Sequence, residues 1–150
     1  MANIPIHNLS KDDMQKAYAF IYLFEKEIKP QYGTFDFENH EIDLFCKENG
    51  IKKKERRNTK ATENYFWFKS EKKGKVNDIA YNLLRHIRNA MAHGNFKKEK
   101  GQKSFYILED YSVKTHKRTM YGKIDAALFW DYLNIVAHSS QLIDNEINFK

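Results

Sequence analysis

Arg88-Asn89-Ala90-Met91-Ala92-His93-Gly94 brings a guanidinium, a carboxamide and an imidazole close together in the chain. A neutral imidazole near its ordinary pKa can take the proton of a ribose 2′-hydroxyl, and a second imidazole can return one to the leaving 5′-oxygen. Arg supplies planar donors and fixed charge to a phosphorane-like transition state, while Asn89 can orient His93 or hold a phosphate oxygen. RNA carries its own internal nucleophile, so the scheme asks for no metal.

These residues sit at the end of the clearest helix in the chain, residues 75–93, where Val76, Ile79, Ala80, Leu83, Leu84, Ile87, Ala90 and Met91 recur at helical spacing. At roughly 100° per residue, Asn82, His86, Asn89 and His93 fall within about 60° of one another, a polar line beside the apolar face. Arg88 lies about 140° from His93, so one helix alone does not stack the two heads. A second copy packed across a two-fold axis could instead bring each Arg88 to the other chain's His93. The bland alternative is that His93 favours the helix dipole and Gly94 is an ordinary C-cap.

The remaining elements must position that end. Ser10-Lys11-Asp12-Asp13 forms a capping-box-like start for a helix to about Lys29, with Met14, Ala17, Ile21, Phe24 and Ile28 as its stripe. Phe20 and Leu23 add apolar surface beyond that stripe, which suggests a second buried face. A short helix begins at Asp36 or Asn39 and stops at Asn49-Gly50. The run Lys52–Lys60 is basic, either a solvated loop or a surface for a phosphate backbone, and leads into the aromatic segment Tyr65-Phe66-Trp67-Phe68. Beyond the third helix, Lys97-Lys98-Glu99-Lys100-Gly101 has the composition of a charged turn. Ser104–Leu108 and Arg118–Tyr121 pattern as two strands of a hairpin, and Asp125 can cap a last helix carrying Leu128, Phe129, Tyr132, Ile135, Val136, Leu142 and Ile143. The expectation is therefore a mostly α fold, an antiparallel bundle of about four main helices with a small β-hairpin before the last.

A chain of 150 residues suits one domain, and 41% hydrophobic with 15% aromatic content excludes a disordered polymer despite 31% charged residues. The balance of 26 Lys+Arg against 20 Asp+Glu favours an anionic partner. Cys46 is the only cysteine, so no intrachain disulfide is possible and a reducing compartment is expected. No apolar stretch approaches a membrane span, and Met1-Ala2-Asn3-Ile4-Pro5 lacks signal-peptide character, so a cytoplasmic location is expected. His7, His40, His86, His116 and His138 show no metal-ligand pattern.

Arg88-Asn89 followed by His93 resembles the Arg-x(4–6)-His signature of the HEPN superfamily, in its common form with Asn after Arg. Leu84-Arg85-His86-Ile87 before it and Gly94-Asn95-Phe96 after it are similar to the usual helix end and turn, and with the flanking elements the likeness spans one domain over most of residues 1–150. The chain is similar to plasmid- and defence-associated members. The resemblance implies an all-α homodimer whose two motifs line one cleft, with metal-independent endoribonuclease activity and no cofactor. Arg88 and His93 would be the catalytic pair, Asn89 the polar helper, and His86, Lys97 and Lys98 RNA contacts. It also implies a toxin–antitoxin or phage-defence setting with a possible antitoxin partner. Members modified by nucleotidyltransferase antitoxins often carry Tyr two residues after the His, where this chain has Asn95. Two other readings stand beside this one: a non-catalytic module that binds RNA, a nucleotide or a protein in the same cleft, and a purely structural helical dimer.

Overall fold

The computed structural model describes residues 9–31, 40–54, 64–69, 79–99 and 101–138. The expected caps Asp36 and Asn39, the second half of the basic run, Val76 in the third helix, Lys100 and the last apolar pair Leu142 and Ile143 lie outside them.

Helix α1 (Lys11–Leu23) starts on the capping box that Ser10 and Asp13 predict: Ser10 Oγ accepts the Asp13 N–H and the Asp13 carboxylate accepts the Ser10 N–H, each at 3.0 Å. Phe24–Ile28 continues it as a π-helical turn and Lys29–Gln31 as a 3-10 turn. Ala17, Phe20, Leu23, Phe24 and Ile28 enter the core, whereas Met14 is exposed together with Tyr18 and Tyr22. Helix α2 (His40–Glu48) ends at Gly50, whose φ of +67° permits the Ile51 N–H to reach the Cys46 carbonyl at 2.9 Å. Helix α3 (Ile79–Ala92) is buried on most of its circumference, because it packs on the sheet on one side and on α1 on the other. Helix α4 (Ala126–Ala137) begins where Asp125 accepts the Leu128 N–H at 3.0 Å.

The expected helical bundle with one hairpin is not the architecture. The four helices exist, but among the described residues they accompany a five-stranded mixed sheet ordered β1-β2-β5-β4-β3, which makes the fold α+β. The hairpin is its centre, β4 (Phe105–Tyr111) against β5 (Arg118–Asp125), antiparallel and longer than its apolar runs suggest. The aromatic segment becomes β2 (Tyr65–Phe68), antiparallel to β5, and Lys52–Lys54 of the basic run becomes β1, parallel to β2. The expected charged turn is in part strand β3 (Phe96–Glu99), antiparallel to β4. Both edge strands are short and lysine-bearing, a composition that discourages further strand pairing and hides them from a hydrophobic pattern search.

Side chains alternate across the sheet. Phe66, Phe68, Phe96, Tyr106, Leu108, Met120 and Ile124 join the helices in one core cluster. Gly122, opposite Phe66 in register, leaves the space that the Phe66 ring fills. At one end of this layer the Tyr106 hydroxyl donates to Asp13 and accepts from Trp130 Nε1 at 2.7 Å, tying α1, β4 and α4 together. Burial and the neighbouring Asp13 push the Tyr106 hydroxyl far up, so it stays a donor. Burial works to raise the Asp13 carboxyl, but hydrogen bonds from Tyr106 and the Ser10 N–H and the charge of Lys98 outweigh it and hold the group below its ordinary range. No helix among the described residues is long and apolar enough to cross a membrane.

Candidate functional site

Helix α3 ends in a Schellman motif: Gly94 has φ +76°, its N–H reaches the Met91 carbonyl at 3.3 Å, and the Asn95 N–H reaches Ala90 at 2.8 Å. Reversing the chain there leaves His93 exposed at the mouth of a cleft of about 300 Å³. The walls come from Arg85, His86 and Asn89 on α3, from Asp110 at the end of β4 with the turn Tyr111–Val113, and from Lys69 and Thr119. Among the described residues no hydrogen bond holds the His93 ring, and the residue is exposed.

Two of the four residues in the expected polar line on α3, His86 and Asn89, meet the carboxylate of Asp110. Asp110 Oδ2 accepts from His86 Nδ1 at 2.8 Å and from Asn89 Nδ2 at 3.1 Å, and its other oxygen accepts the Tyr111 N–H at 2.9 Å. Asp110 is 4% exposed and His86 3%. Burial acts to raise the Asp110 carboxyl, yet the hydrogen bonds from His86 and Asn89, the charge of His86 and the Tyr111 N–H together hold it below the usual carboxylate range.

His86 Nε2 lies 2.8 Å from the Lys69 carbonyl, so both ring nitrogens face oxygen acceptors and both are used. The ring that chemistry would ask to be a mobile acid is thus a buried tie between α3, β4 and the end of β2. Asn89 is bound at both ends, donating to Asp110 and accepting from Arg88 Nη1 at 3.0 Å.

Arg88 does not line the cleft; its Nε pairs with Glu25 of the π-helical turn at 3.1 Å. The guanidinium that does line the cleft is Arg85, whose Nη2 lies 3.4 Å from His86 Nε2. Of the expected RNA contacts, Lys97 is exposed on edge strand β3, while Lys98 is bonded to Asp13 at 3.3 Å on the core side.

Three charged residues of the cleft escaped sequence reasoning. Arg85 was within reach of it, since residues 85, 89 and 93 follow an i, i+4, i+8 spacing that places Arg85 about 40° from Asn89. Lys69 and Asp110 carried no local signal, because only strand pairing brings them to α3. The cleft is thus lined by one exposed imidazole, His93, by the cations Arg85 and Lys69, and by the Asp110 carboxylate, whose hydrogen bonds fix the helix end.

The model of a family described as HEPN pEK499 p136 matches residues 7–146. No curated protein and no solved structure matches the chain.

Proposed function

This chain belongs to the HEPN family, and from that membership we propose that it is an endoribonuclease working in the cleft at the end of α3. HEPN domains are commonly RNases. The observation that carries the reading is the exposed His93 imidazole in the same cleft as Arg85 and Lys69. His93 takes the proton of a ribose 2′-hydroxyl, the freed oxygen attacks the adjacent phosphorus, and the P–O5′ bond breaks. The products are a 2′,3′-cyclic phosphate and a 5′-hydroxyl whose proton comes from solvent or a second imidazole. Arg85 and Lys69 oppose the charge that builds on the phosphoryl oxygens. His86 is committed to Asp110 and so does not serve as that second imidazole; the His93 of another copy would supply one, and Arg88 would likewise reach this phosphate across a dimer.

Purified protein incubated with RNA in EDTA should leave 2′,3′-cyclic phosphate ends. Activity should fall by about 10²-fold or more in His93→Ala, as expected for loss of a general base. Arg85→Ala should lose more activity than Arg88→Ala if one protomer supplies the cleft, and the reverse order would support the dimeric arrangement. Equal cleavage by wild type and His93→Ala removes the proposal. The commitment of His86 also favours a second reading, a module that binds RNA without turnover. It predicts salt-sensitive, saturable binding with no cyclic-phosphate product.

A further inference from the structure

The sheet's second face takes no part in the helical core. Tyr65 and Ile107 are buried on it, yet neither belongs to the core cluster that joins the helices to the opposite face. Register shows what shares this face: Tyr65 lies opposite Lys123 and Lys52, Trp67 opposite Tyr121 and Lys54, and Ile107 opposite Lys97. Phe105 and Tyr111 follow from the alternation along β4. A bulge adds one more cation. Asp110 pairs with Met120 but Tyr111 pairs with Arg118, so Thr119 is passed over and Arg118 comes round to Tyr121, its guanidinium 4.9 Å from the ring centre.

Aromatic rings and cations are therefore interleaved across five strands. Lys123 Nζ stands 5.3 Å from the Phe105 ring centre. Three carboxylates on the face are already engaged: Asp125, opposite Phe105, caps α4, Glu99 lies 3.6 Å from Lys123, and Glu109 lies 3.0 Å from Arg118 and accepts the Tyr111 hydroxyl at 2.9 Å. Lys52, Lys54, Lys97, Lys123 and Arg118 outnumber them, so the face carries net positive charge. Rings with cations between them match a polymer of flat bases and regularly spaced phosphates. A duplex, whose bases are hidden, could use the cations but not the rings.

We propose that this second sheet face is a platform for single-stranded RNA, with bases stacked on the half-buried rings of Trp67, Phe105 and Tyr121 and phosphates held by Lys54, Lys97 and Lys123. The choice of RNA over DNA rests on the reading of the cleft given above; the platform itself does not. Tyr111 belongs to this face and also lines the cleft, so a strand lying on the sheet has a route round the end of β4 to His93.

The full chain carrying His93→Ala, which leaves the probe uncut, is titrated with fluorescein-labelled oligo(U), oligo(dT) and an RNA duplex of the same length. Oligo(U) should bind most tightly. Tyr121→Leu should weaken it by about 5-fold to 150-fold, the value of one base–aromatic stack, and Lys97→Glu should weaken it and flatten its salt dependence. Bound oligo(U) should quench tryptophan emission, and Trp67→Phe, which keeps an apolar ring, should abolish the quenching because the remaining Trp130 is 5% exposed in the core.

Equal affinity for the duplex, or absence of quenching, overturns the proposal, and equal affinity for oligo(dT) overturns its choice of RNA. So does binding that survives Tyr121→Leu and Lys97→Glu but fails in Arg85→Ala, since the cleft alone would then hold the strand. Self-association broken by Lys97→Glu, without RNA binding, overturns it in favour of a second copy. If the chain carrying wild-type His93 binds RNA on this face but never cleaves it, the cleft reading fails and the platform stands.

Discussion

Removing the carboxylate of Asp110 is expected to loosen the end of α3. The side chain is 4% exposed and accepts three hydrogen bonds, from His86, Asn89 and the Tyr111 N–H, at 2.8 to 3.1 Å. Asp110→Ala withdraws the acceptor and keeps the buried donors. Stranding the His86, Asn89 and Tyr111 donors costs about 3–5 kcal/mol in all, at about 1–3 kcal/mol for each unsatisfied donor, against a total stability of about 5–15 kcal/mol for a domain. At this chain length that loss corresponds to a fall of roughly 6–20 °C in Tm. The loss should also depend on pH. The folded carboxyl titrates below its ordinary value, so its contribution is fully present above that ordinary value and disappears as pH falls through the lowered one. Urea unfolding followed by circular dichroism should therefore show the full gap between wild type and Asp110→Ala at pH 7 and a narrower one at pH 3. A gap below about 1 kcal/mol at pH 7, less than one unsatisfied buried donor costs, would refute the account, as would a gap unchanged at pH 3.

Three other substitutions test how the fold presents the site. Ser10→Ala removes half of the capping box of α1 and should cost about 1 kcal/mol in urea unfolding. Tyr106→Phe takes a donor from Asp13 and an acceptor from Trp130, and should lower stability by about 1–3 kcal/mol, measured the same way at pH 7. Gly122→Ala places a methyl group on the Phe66 ring and should cost about 1–3 kcal/mol, part of it recovered in the double variant with Phe66→Leu.

Much of the local structure was legible in the chain because its causes are local. Ser10 and Asp13, Asp125, Gly50 and Gly94 act within a few residues of themselves, and each of these caps forms at its expected position. The amphipathic period of α3 and the apolar runs of the hairpin were legible for the same reason. The sheet was not. Lys52–Lys54 and Phe96–Glu99 are strands because a neighbour pairs with them, and β2 meets β5 across more than fifty residues of chain. Short, charged edge strands carry no period of two to detect, so a sheet read from patterns shrinks to its hairpin.

The site divides along the same line. The residue types around His93, and the family signature they make with Arg88 and Asn89, are properties of the sequence, and the family match rests on the sequence too. Which of those side chains reach the cleft was decided by tertiary structure. Asp110 claims His86 and Asn89, Glu25 claims Arg88, and Arg85 is the guanidinium that lines the cleft with His93. Helical angles fix where each side chain leaves its own helix. Only the partners supplied by strand pairing and by the turn after α1 fix where its polar end comes to rest.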